Sequence, residues 1–106
     1  MAFLLFYVTH PDEGTARRIA RQMVEQRLAA CANVFPIQSM YWWDGAVQSE
    51  GEWVSLLKTS LEREGELESA LRAAHPYQTP CFLRFEVRAN EDYECWIRES
   101  TDADTR

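Results

Sequence analysis

The segment Ser39-Met-Tyr-Trp-Trp-Asp-Gly45 sets three consecutive aromatic residues against an Asp-Gly pair, with strand-like sequence on both sides. Asp-Gly supplies the two positive-φ residues of a type I′ turn, so the pattern predicts one long β-hairpin running from Cys31 to Ser60. On the outward arm Val34, Phe35, Ile37 and Met40 precede the aromatics, and Pro36 within this run requires an edge position or a bulge. The return arm carries Val47, Trp53, Val54, Leu56 and Leu57, with a bulge expected at Gly51. Arms of about 12 residues at about 3.3 Å each span about 40 Å. A helix of about 12 residues covers only about 18 Å. The overhang leaves Met40, Tyr41, Trp42, Trp43, Val47 and Trp53 uncovered in a single chain, so the hairpin predicts self-association.

The flanking sequence fills in a fold. Phe3 to Val8 is almost entirely apolar and reads as a central strand. Ala16, Ile19, Ala20, Met23, Val24 and Leu28 recur at helical spacing, which predicts an amphipathic helix over about residues 12–30. Asp12 and Glu13 belong at its start through capping and dipole complementarity. After the hairpin, Leu67, Ala70, Leu71 and Ala74 form the stripe of a second helix, with Thr59, Ser60 or Glu62 as candidate caps and Pro76 as its stop. Phe82 to Val87 reads as a fourth strand. A short terminal helix over Asp92–Arg98 puts Tyr93, Trp96 and Ile97 on one side. The order β-α-β-β-α-β predicts an α+β, ferredoxin-like split β-α-β arrangement, an antiparallel sheet with two helices on one face. One domain is expected over residues 1–99, followed by a polar tail over 100–106.

Composition narrows the function. Seventeen acidic against eleven scattered basic residues give a net charge of −6, which opposes sequence-independent binding to nucleic acid or to anionic membrane. Met1 leads directly into the first strand with neither a basic leader nor a membrane-length apolar run, which sets the expectation of a cytoplasmic protein. Cys31, Cys81 and Cys95 have no C-x-x-C spacing and are expected as buried free thiols. The loop Thr9-His-Pro-Asp-Glu13 has no glycine-rich phosphate cradle, and no Ser-His-Asp or Cys-His arrangement can be argued, so the reading is of a non-enzyme.

Thr9-His-Pro-Asp-Glu13, Ser39-Met-Tyr-Trp-Trp-Asp-Gly45 and His75-Pro-Tyr-Gln-Thr-Pro80 together resemble the CutA divalent-cation tolerance family. The likeness runs from about Phe3 to Ile97 and takes in Leu28-Ala-Ala-Cys-Ala-Asn33, Leu57-Lys-Thr59 and Asp92-Tyr-Glu-Cys-Trp96. The resemblance implies a ferredoxin-like homotrimer built through the long hairpins, with a role linked to tolerance or binding of copper and other divalent cations. In the family's metal-binding pattern a cysteine precedes the Thr of the first loop and two histidines precede the Pro-Tyr pair. Here Val8 and Ala74 stand at two of those positions, which leaves His75.

Two candidate sites follow. His75, joined by His10 if the first loop reaches it, is the candidate metal position. The bland alternative for His75 is a helix C-cap. Lys58, a lone cation on an apolar strand, together with Tyr77 and Trp43, is the candidate cleft for a small anionic metabolite, as in P-II-like signalling trimers. Against it stand a snorkelling lysine and aromatics that serve as interface packing.

Overall fold

The computed structural model describes residues 1–102. Four antiparallel strands, β1 (Phe3–His10), β2 (Cys31–Trp43), β3 (Ala46–Thr59) and β4 (Phe82–Val87), form one sheet in the order β2-β3-β1-β4. Three α-helices accompany them: α1 (Glu13–Glu25), α2 (Glu64–Ala74) and α3 (Glu91–Ser100). This is the expected split β-α-β arrangement.

Residues alternate between the two faces of the sheet. Leu4, Phe6 and Val8 of β1 and Leu57 of β3 point to the side that α1 and α2 cover, where they join Ile19, Met23, Leu67 and Leu71 in the core. Asp12 caps α1 by accepting from the Thr15 N–H at 2.8 Å, and Glu13 pairs with Arg17 at 2.7 Å. The helix stops earlier than its apolar period predicts. Arg27 turns left-handed (φ 58°), its N–H donates to Val24 O and the Leu28 N–H donates to Met23 O, the paired bonds of a Schellman motif. Leu28 therefore keeps its place in the core while lying outside the helix.

The hairpin is regular throughout, from Cys31 opposite Lys58 to Trp43 opposite Ala46, and turns at Asp44 (φ 53°) and Gly45 (φ 75°). Pro36 sits on the edge strand β2, one of its two expected settings. The bulge expected at Gly51 does not occur. Gly51 pairs with Gln38 in unbroken register, and a Cβ there would meet Ile37 O only at 4.0 Å, so neither shift nor crowding calls for the glycine. The molecule's longest dimension is 46 Å, against about 16 Å for the eleven residues of α2. The hairpin overhangs as the sequence predicts.

Three local expectations change. A 3₁₀ turn (Leu61–Arg63) precedes α2, and the candidate caps are engaged elsewhere: the Thr59 hydroxyl donates to Leu28 O at 2.7 Å, and Ser60 meets Thr101 at 3.0 Å. Ser100 completes α3 and Thr101 is buried, so these two residues belong to the packed domain; residues 103–106 of the expected tail lie outside the described residues. The three cysteines are free, as expected, but half-buried rather than buried.

Candidate functional site

The first candidate constellation comes together. His10 closes β1 on the helix-covered side, and Pro76 ends α2 by leaving His75 extended at the C-cap (φ −80°, ψ 136°). Their rings stack with centroids 5.1 Å apart. His75 Nε2–H donates to Thr9 O at 2.7 Å, while its Nδ1 accepts from the Tyr77 N–H at 3.1 Å. Both nitrogens of His75 are thus engaged by backbone. His10 is fully buried, with Nε2 bonded to the Ser55 hydroxyl at 2.8 Å and Nδ1 buried without a hydrogen-bond partner among the described residues. Burial, reinforced by the neighbouring His75, lowers the His10 pKa to about 4, and burial also lowers that of His75.

These imidazoles do not fit a metal ion. A divalent transition metal needs several converging lone pairs, whereas His75 has none to offer and His10 is enclosed. Among the described residues no group of three or more His, Cys, Asp or Glu side chains is placed to hold a metal. Within the single chain the two residues pin the end of β1 to the segment after α2, the capping alternative, extended to two residues.

The second constellation separates. Lys58 pairs across the sheet with Leu5 and Cys31, and its Nζ donates to the Tyr93 hydroxyl at 3.2 Å. Tyr77 instead donates its hydroxyl to Glu52 Oε2 at 2.6 Å. Glu52 and Lys58 lie six residues apart on one strand, about 20 Å. Lys58 therefore belongs to the end of the sheet packed by α3 and not to a cleft with Tyr77.

Trp43 and Tyr77 do meet in one cavity, of about 780 Å³, on the sheet face opposite α1 and α2. Tyr7, Ile37, Tyr41 and Glu52 also line it, and residues 77–79 close one side. Glu52 is the one charged side chain among the described lining residues and is almost fully buried. A lone carboxylate disfavours the anionic metabolite expected there. Burial and the hydrogen bond to Glu52 raise the Tyr77 pKa, so the phenol stays a donor. Sequence reasoning missed Glu52. Its signal was the period-2 series Glu52, Val54, Leu56, Lys58, which sets a carboxylate on the same face as the singled-out lysine.

No helix among the described residues is long and apolar enough to cross a membrane. Residues 4–100 match the CutA1 divalent ion tolerance protein family. The chain is 43% identical over 98 residues to the divalent-cation tolerance protein CutA of Thermotoga maritima, covering 92% of this chain and 97% of that one. It superposes on the solved structure of the periplasmic divalent cation tolerance protein CutA from Archaeoglobus fulgidus with a TM-score of 0.90 at 35% identity, over 96% of this chain and 100% of that one. CutA from Synechococcus elongatus PCC7942 gives a TM-score of 0.91 at 35% identity, over 95% and 91%. On its sequence and its fold alike, this chain belongs to the CutA1 divalent ion tolerance protein family.

Proposed function

We propose that the chain acts in the cytoplasm as a non-enzymatic homotrimer in tolerance of copper and other divalent cations. The observation that carries the assembly is the apolar surface a single chain leaves bare: Leu83 and Phe85 of β4 are about half exposed on the face away from α1 and α2, and Met40 and Trp42 at the hairpin tip are about three-quarters exposed. Soluble monomers rarely leave such a patch and a free strand edge together. The number three is the one the family resemblance implies. Free thiols at Cys31, Cys81 and Cys95 support a reducing compartment. The role in cation tolerance rests on the relatives, and His10 and His75 serve it as scaffold and not as ligands.

The test is growth under copper challenge of a bacterial strain lacking its own member of this family. Expression of the native chain is expected to restore growth, and a Leu83→Glu, Phe85→Glu variant that cannot assemble is expected not to. Failure of the folded native chain to restore growth contradicts the proposal.

A further inference from the structure

We infer that Cys31 and Lys58 are a modification site, joined by dioxygen into a reversible covalent sulfur–oxygen–nitrogen bridge. Lys58 is the one lysine of the chain, and the ladder sets it directly opposite Cys31. Residues so paired hold their Cβ atoms about 4.5–5.5 Å apart on the same face of the sheet. Both side chains also reach one oxygen. Lys58 Nζ donates to the Tyr93 hydroxyl at 3.2 Å, and Cys31 Sγ lies 3.7 Å from that hydroxyl. Cys31 is close enough to Lys58 to act on its ammonium by charge and by a hydrogen bond. The geometry is fixed from two sides. The ladder is regular on β2 and β3, and the Tyr93 ring packs edge-on against Phe3 with the Lys58 ammonium 5.5 Å from its centroid. The thiol of Cys31 is free and half-buried.

Dioxygen is the oxidant, and the step balances. One of its oxygen atoms becomes the bridge between sulfur and nitrogen. The other leaves as water with the thiol hydrogen and one hydrogen of the amine, and the remaining ammonium proton passes to solvent. Sulfur and nitrogen each give up two electrons, the four that dioxygen takes. Four electrons from a thiol reductant return the thiol, the amine and a second water. Burial lowers the Lys58 pKa, but the Tyr93 hydroxyl and Cys31 more than offset it, so the amine is protonated at neutral pH and closure quickens as the pH rises. Dioxygen is small and apolar and needs no open cleft. The inference therefore holds whether or not a neighbouring subunit covers this end of the sheet, and it is independent of the role in metal tolerance.

The test is intact-mass spectrometry of the reduced native protein in chelator-treated buffer, one half kept under nitrogen and the other under air. Under air the chain is expected to gain about 14 Da, one oxygen gained and two hydrogens lost, faster at higher pH and reversed by dithiothreitol. Under nitrogen no gain is expected. Peptide mapping of the native protein is expected to join the Cys31 peptide to the Lys58 peptide. Cys31→Ser and Lys58→Arg are each expected to abolish the gain, with circular dichroism reporting whether each variant is folded; the native peptide map decides the case by itself if one is not. Absence of the gain in air overturns the inference, as does its persistence in folded Lys58→Arg. So does a gain of about 16 Da, a sulfenic acid, or a loss of about 2 Da, a direct sulfur–nitrogen bond, in its place.

Discussion

His10 and His75 stack with their ring centroids 5.1 Å apart, one at the end of β1 and the other at the cap of α2. Protonation puts an N–H on both nitrogens of each ring. At His10 that leaves a buried Nδ1–H without an acceptor among the described residues, and at His75 it sets a proton against the Tyr77 N–H. Both folded-state pKa values are lowered, so the unfolded chain binds more protons as the pH falls. Stability is therefore full above the ordinary histidine value of 6.5 and declines as the pH drops toward about 4. The His10 contribution is of order 3 kcal/mol. Urea midpoints measured across that window check it, and His10→Phe is expected to flatten the dependence.

His75→Ala separates the structural role from the metal role. It removes two backbone hydrogen bonds and a stacked ring, and is expected to cost about 2 kcal/mol. Equilibrium dialysis against copper and zinc is expected to give the same subunit-normalised metal content for the variant and the native protein.

Tyr77→Phe strips the donor from Glu52. A buried carboxylate that loses its partner costs about 1–3 kcal/mol, and the expected drop in unfolding midpoint is measurable in urea. Glu52→Gln, which retains an acceptor, is expected to cost less.

How far the sequence led depended on whether the signal was local. Asp44-Gly45 and its alternating flanks specify the hairpin by themselves, and the apolar stripe of α1 leaves little choice of face. The end of α1 was less legible, because Leu28 keeps the helical period while Arg27 takes a left-handed conformation that no glycine announces. Gly51 suggested a bulge where the ladder is regular. The sites depended on tertiary register. His10 and His75 meet because β1 ends beside the cap of α2, which separation in the chain does not reveal. The partner of Tyr77 is Glu52 and not Lys58, because the segment after α2 crosses β3 near the hairpin's middle.

Thr101 is the C-terminal residue whose packing the sequence disguised. Its hydroxyl donates to Ile97 O at 2.8 Å and meets the Ser60 hydroxyl at 3.0 Å, while its carbonyl accepts from the buried Arg63 Nε at 2.8 Å. Thr101→Val is expected to cost about 1 kcal/mol. Thermal unfolding of the variant against the native chain checks this; no change would mean that the contact with Ser60 and Ile97 is dispensable.

The apolar face and hairpin tip are the surfaces on which the account as a whole depends. Sedimentation equilibrium of the native protein and of Leu83→Glu, Phe85→Glu is the direct measurement, with circular dichroism confirming that both are folded. The account predicts a native mass three times that of the 12.4 kDa chain and a single-chain mass for the variant. A folded native protein that sediments as one chain would contradict it.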